Sequence, residues 1–402
     1  MERGVITNLF NAKLQECGGN QKKAGILTAK KLDKLLKEDK IKPEDLRFDQ
    51  LAYELIPDYD DLRTAETQDI ALAVSSSQFP TISKVAINKT VLDAYQLHQE
   101  GMEQFVTDIT ATRTNEEYLA GFTDPEGPEM RQESQSYQET NFGERDITIK
   151  MADFGRTISV TREAIFNDRT GQLLENARGF GEKGGQHRAK MIVQTLECLP
   201  RTSFKEASAA ANAFIYKGTA VQVGTFYNAT NHTTTDGRTN ANLVASNALV
   251  DYTDVDAALD LFVDMKTPAG DEMVITPRAV FCHEKLLSTA WQVFNSDTYW
   301  KVAGGATDVG LSTYHGVNPV GPRGFRPRFN VVGSRYAASA TTWYIGDPKS
   351  SMYWAWVWRP STASLAATAD KAFYNNIVMT YKFSYHGGVG HSDYSFIVKS
   401  TA

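Results

Sequence analysis

A chain of 402 residues that is 42% hydrophobic and 11% aromatic can build two or three domain-sized units, or one elongated body with projections. Its formal charge of −6 excludes the basic surplus expected of a dedicated nucleic-acid binder. Its three cysteines, Cys17, Cys198 and Cys282, never form a Cys-x-x-Cys pair, which excludes an encoded disulfide framework or zinc ribbon and points to folding in a reducing cytosol.

The N-terminal segment lacks the apolar core of a signal peptide, and no run approaches the ~18 apolar residues of a membrane span. Without a secretory signal, the N-x-T sequons at Asn88, Asn228 and Asn231 are chance matches. Charge is uneven from the start. Met1 to Lys42 holds nine lysines and one arginine against five acids, whereas Pro43 to Asp69 holds nine acids against two arginines. Leu32, Leu35 and Leu36, and then Leu46, Leu51 and Leu55, have helical spacing, with Pro43 suited to a first turn and Pro57 ending the second helix. Each apolar stripe is too narrow for its helix to fold alone. Two readings follow: solvated helix faces, or an arm whose basic half meets an acidic surface on a neighbour.

Phe79 to Asp108 approaches a core, with a helix expected around Val91 to Phe105. Glu126 to Asp146 then carries six acids against two arginines and almost nothing to bury. Ile147, Ile149 and Met151 alternate on the return, as do Ile158 and Val160 after Gly155, in the manner of strands with one buried face. A two-stranded hairpin is marginal in water, so this excursion needs a surface beyond its own subunit. Thr161 suits the cap of a short helix, and Asp168 or Thr170 that of the next.

That next helix is expected from about Gly171 to Cys198, about 40 Å long. Leu173, Ala177, Phe180, Gly184, Met191 and Thr195 mark its inward stripe, with Leu174, Gly181, Ile192 and Leu196 beside it. The glycines at 179, 181, 184 and 185 each cost a helix about 1 kcal/mol relative to alanine, so either the helix bends there or another backbone presses close. Lys205 to Val250 is polar and nearly uncharged, with Asp236-Gly237 offering a hairpin turn. Val255 to Met265 and His283 to Phe294 read as helices and MVITPRAVF between them as a buried strand, an α/β pattern. Met352 to Trp358, Ala372 to Tyr385 and Tyr394 to Lys399 read as alternating strands, with Phe373, Ile377, Met379, Tyr381, Phe383 and Tyr385 on one side.

Three patterns suggest chemistry and are better explained by structure. Gly179 to Gly184 satisfies G-x-G-x-x-G but lies inside a helical pattern, not between a strand and a helix. His386, His391 and Asp393 flank Gly387, Gly388 and Gly390, a glycine-rich bend with no metal-ligand spacing. Trp354, Trp356 and Trp358 share a strand face that could stack sugars and more often packs. No G-x-S-x-G or H-E-x-x-H occurs. No catalytic, cofactor or metal residue is assigned, and the chain is expected not to be an enzyme.

GRTISVTREAIFNDRTG (Gly155 to Gly171) followed by a long helix resembles the stretch joining extended loop to spine helix in tailed-bacteriophage major capsid proteins. MVITPRAVFCHEKLL, Met273 to Leu287, resembles that family's axial-domain strand, turn and helix. WYIGDPKSSMYWAWVWRP, Trp343 to Pro360, is similar to its returning strand pair, and Tyr374 to Lys399 to its closing strands. In order and spacing the resemblance covers about Gly101 to Lys399. It implies an α+β fold of the Hong Kong 97 type. The parts would be an N-terminal arm (1–78), a peripheral domain (79–124 and 156–250, with spine helix and polar insert), an extended hairpin loop (125–155), an α/β axial domain (251–355) and return strands (356–402).

It also implies pentamers and hexamers closing into an icosahedral virion shell around double-stranded DNA, assembled in the host cytoplasm with scaffold, portal and decoration proteins, and no membrane. The loop residues expected at the subunit interface are Glu126, Glu129, Arg131, Glu133, Tyr137, Glu139, Phe142, Glu144 and Arg145. Some members lock the shell through a loop lysine, but no lysine occurs between Lys89 and Lys150, so that bond is unavailable at the loop. Others lose an N-terminal segment; an uncleaved arm is expected here. The alternatives are an encapsulin-like compartment, and a soluble carbohydrate-binding or hydrolytic protein built on the tryptophan strand.

Overall fold

The computed structural model describes residues 5–18, 20–38, 40, 79–122, 144–161, 172–198, 226–229, 239–266, 272–303, 312–321, 328–366 and 374–402, with isolated residues and pairs between them. The chain divides into two units: residues 1–99, 153–188 and 358–386 form unit 1, and residues 100–152, 189–357 and 387–402 form unit 2.

Unit 1 begins with helices α1 (Val5–Glu16) and α2 (Gln21–Lys37), the latter capped by Asn20, whose side chain accepts from Lys23 N at 3.2 Å. Ala24, Leu32 and Leu36 of α2 are buried, and the helix packs on α1 and on α3 (Phe79–Leu97). The apolar stripe of α2 is satisfied within its own subunit, and its exposed side carries Lys23, Lys30, Lys31 and Lys34. The acidic half with Leu46, Leu51 and Leu55 lies outside the described residues.

Helix α3 occupies Phe79–Leu97 rather than Val91 to Phe105. Its continuation is broken at Glu100 (φ 53°) and Gly101 (φ 71°), both left-handed, and a short 3-10 turn at Met102–Phe105 follows. Against α3 lies the long helix α4 (Gln172–Leu196), close to its expected bounds. The glycines of α4 answer the question they raised. A methyl group at Gly181 would stand 2.2 Å from Val91 O, and one at Gly185 2.5 Å from Tyr95 O. A second backbone presses close, and only glycine admits it. G-x-G-x-x-G is thus a helix-packing surface.

Strand β1 (Thr107–Thr110) is followed by the β2 (Glu116–Phe122) and β3 (Glu144–Lys150) pair and by β4 (Ala152–Thr161). The short helix expected after Thr161 and its successor's caps lie outside the described residues. In the polar insert, β5 (Ile215–Tyr216) pairs with β6 (Thr219–Ala220), and β7 (His232–Thr233) pairs antiparallel with β8 (Thr239–Asn240) around Asp236-Gly237, which itself is not described.

Unit 2 centres on a five-stranded sheet. Its strands are β9 (Leu243–Val244), β10 (Ala279–His283), β13 (Asn330–Ser334), β14 (Trp343–Gly346) and β17 (Ile397–Ser400), in the order β13-β10-β14-β17-β9. The β10–β13 and β17–β9 pairs are parallel, and β14 is antiparallel to both neighbours. Helices α5 (Tyr252–Val263), capped reciprocally by Asp251 and Asp254, and α6 (Leu287–Asn295) bury Val255, Leu259 and Phe294 with Val280, Trp343 and Val398. The alternation of helix and strand is as expected, but the strand is shorter: Met273 to Arg278 is irregular, with Val274 95% exposed, and β10 starts at Ala279. A two-stranded ribbon, β11 (Thr298–Ala303) with β12 (Ser312–Val317), completes the unit.

Strands β15 (Met352–Ala366) and β16 (Ile377–His391) each pass through both units and belong to a four-stranded sheet, β1-β15-β16-β4. β16 starts five residues later than expected because Asn376 is left-handed (φ 52°), and Tyr374 is exposed. Met379, Tyr381, Phe383 and Tyr385 are buried as the alternation requires, with Lys382 exposed between them, but beyond Phe383 both sides are covered. The expected bend at Gly387, Gly388 and Gly390 is instead strand. A side chain at Gly387 would meet Ala355 O at 2.7 Å and one at Gly388 would meet Lys150 O, so these glycines admit close backbones. The turn comes later, where Asp393 Oδ1 accepts from Ser395 N at 2.9 Å.

Candidate functional site

The acidic excursion is rooted in an antiparallel ribbon. β2 and β3 pair over seven positions, from Glu116 opposite Lys150 to Phe122 opposite Glu144, as a two-stranded sheet among the described residues. The root is held firmly. Ile149 and Met151 are buried against Ala355, with Leu119 and Tyr353 packed on them, and Met151 N donates to Asn115 O at 2.9 Å. The Arg113 guanidinium lies 4.8 Å from the centre of the Tyr118 ring. Of the expected interface residues, Glu144 and Arg145 sit in β3 opposite Phe122 and Gly121. Glu126, Glu129, Arg131, Glu133, Tyr137, Glu139 and Phe142 lie outside the described residues. Met130, within the same stretch, is 99% exposed.

Glu117 fastens the turn before β2. Its buried carboxylate accepts from Thr112 N at 2.8 Å, Thr112 Oγ1 at 3.0 Å and Arg113 N at 3.1 Å. Burial pushes its pKa up, but these donors together outweigh burial and hold the carboxyl below its usual range. A depressed folded-state pKa stabilises above the unfolded value and is lost as pH falls through the folded one. Glu117→Gln is therefore expected to lower the urea midpoint at pH 7, with the gap to wild type closing as both are titrated below the carboxylate range.

Unit 1 holds a cleft of about 610 Å³ between β4, α4 and β16. Phe154, Phe180, Phe383 and Tyr385 line it. His187 Nδ1 lies 2.7 Å from the Tyr385 hydroxyl, and burial raises the pKa of that phenol well above its ordinary value. Nearby, Arg188 Nη1 donates to Gln99 Oε1 at 2.6 Å, both residues being buried. The sequence offered one signal for this buried cation: Arg188 follows the stripe Ala177, Gly181, Gly185 with Ala189 next to it, a small-residue face on which an arginine has little solvent to reach. The cleft itself was missed, because its walls come from three distant segments.

The other singled-out residues have structural places. His391 Nε2 lies 2.5 Å from Thr195 O and 3.8 Å from Cys198 Sγ, and its ring stacks on Phe226 at 4.1 Å. His386 lies edge-on to Trp358 at 4.6 Å. Trp354 and Trp356 are buried with rings 5.2 Å apart, so the packing reading holds for them, while Trp358 is 42% exposed. Among the described residues no three His, Cys, Asp or Glu side chains are grouped to hold a metal, and no helix is long and apolar enough to cross a membrane.

The family described as phage capsid protein matches residues 143–400, more than half of the chain, and the protein belongs to that family. It is a phage capsid protein, a component of the virion shell. No curated protein matches the sequence. Among solved structures the chain is similar to a capsid of a native GTA particle (14% identity, 75% of this chain and 90% of that one, TM-score 0.46). It is also similar to structures from Mycobacterium phage Adephagia (14%, 78% and 89%, 0.40) and Cyanophage Pam1 (13%, 73% and 87%, 0.43).

Proposed function

We propose that the protein forms pentamers and hexamers that close into an icosahedral shell around phage double-stranded DNA. Assembly takes place in the host cytoplasm, with scaffold, portal and decoration proteins as further partners. Residues 125–155 act as an extended loop laid over the adjacent subunit, 156–250 with 79–124 as the peripheral domain, 251–355 as the axial domain and 356–402 as return strands. Glu126, Glu129, Arg131, Glu133, Tyr137, Glu139, Phe142, Glu144 and Arg145 make the loop's contacts.

The observation that supports this reading is the β2–β3 ribbon, which among the described residues is a sheet of two strands. A ribbon of that kind is marginal in water until another surface completes it. Head-to-tail contacts let one surface bind a different one on the next copy, and rotation closes the ring. Stable contacts of this sort bury ~2,000 Å² or more. The test is electron microscopy of the purified protein with nucleic-acid assay of the particles. Closed shells containing nuclease-protected DNA are expected from infected cells. Shells filled with a protein cargo would instead indicate a compartment, and the absence of shells would overturn the proposal.

A further inference from the structure

The unit 1 cleft combines two features that together specify an occupant. Its walls are rings, with Phe180 and Phe383 edge-on at 5.7 Å and Phe154 and Tyr385 at 5.4 Å. Its lining also includes Arg156 and Lys183, both exposed, against a single carboxylate, Asp153. Among the described residues neither cation is in an ion pair; Lys183 Nζ donates to the neutral Gln186 Oε1 at 3.1 Å. A ring-lined slot with cations beside it fits an aromatic side chain flanked by carboxylates. The ring packs offset or edge-on to the walls while the acids make charge-assisted hydrogen bonds with Arg156 and Lys183.

This chain carries one close match. Asp58-Tyr59-Asp60-Asp61 places acids on both sides of a tyrosine, within a stretch of nine acids and two arginines. The acidic loop fits less well, since Tyr137 lies between Ser136 and Gln138, and Phe142 between Asn141 and Gly143. We propose that the cleft receives Asp58–Asp61 from a second copy of the chain. A shell protein must also present unlike surfaces to its neighbours. The choice of a second copy rests on the shell reading; the charge and ring complementarity does not. The basic α2 helix, docked at home, would then be followed by an acidic segment that reaches out.

Two measurements test this on the full-length chain. In the double variant Asp60→Cys with Lys183→Cys, oxidation is expected to give disulfide-linked dimers and higher species on a non-reducing gel, absent from either single variant. A cross-link closed within one chain, or none at all, overturns the proposal. Arg156→Glu with Lys183→Glu is expected to cut particle yield at least tenfold. Adding Asp58→Lys, Asp60→Lys and Asp61→Lys should restore most of it, which a merely misfolded subunit would not show. Normal yield from the first variant, or no restoration from the second, overturns it as well. Failure of the wild-type chain to form particles would remove the shell reading instead, and particles of the double-cysteine variant lacking the cross-link would remove only this docking.

Discussion

Gly181→Ala is expected to destabilise the isolated subunit by about 1–3 kcal/mol, the usual cost of forcing an extra methyl into a packed core. The new carbon would stand 2.2 Å from Val91 O and 2.9 Å from Ala94 Cβ, and both neighbours are fixed in α3 rather than at the end of a flexible side chain. The same change two residues earlier should do the opposite. A methyl at Gly179 meets nothing within 4 Å, so Gly179→Ala is expected to stabilise by up to about 1 kcal/mol through helix propensity alone. Urea midpoints of the two variants against wild type read the contrast. Two variants that shift together would mean that α3 and α4 are not packed backbone to backbone.

Removal of Glu126–Asp146 is expected to leave a folded, soluble subunit and to abolish particles. The deletion spares the four register pairs at the root, from Glu116–Lys150 to Leu119–Ile147, together with the buried Ile149 and the Glu117 hydrogen bonds. Nothing that packs the described core is lost, so circular dichroism and thermal unfolding should stay close to wild type. Sedimentation and electron microscopy should show only small species. Intact shells from this variant would refute the loop's role in assembly.

The long helix was legible to within about two residues because a 3.6-residue apolar period over seven turns leaves few alternatives. Its four glycines also announced a close approach, and two of them deliver it. Boundaries set by single backbone conformations were not legible. Nothing in QLHQEGMEQF shows that Glu100 and Gly101 both turn left-handed and end α3 early, and nothing in KAFYNNIV shows the same of Asn376. Glycines misled in β16, where Gly387, Gly388 and Gly390 resemble a turn by composition but lie in a strand, with neighbouring backbones close to the first two. The narrow stripe of the basic N-terminal helix called for a partner, and α3 offers it a matching face within the subunit. The cleft was invisible because Phe154, His187 and Phe383 are brought together only by tertiary structure.

The position of β17 sets an order of events during synthesis. It lies inside the five-stranded sheet, between β14 and β9, with Ile397, Val398 and Ser400 fully enclosed. The sheet therefore stays split, with β9 detached and β14 unpaired on one side, until residues 397–400 have left the ribosome. Until that moment a nascent chain cannot complete this sheet or the surface built on it, so unit 2 closes only after its sequence-distant strands have all been made.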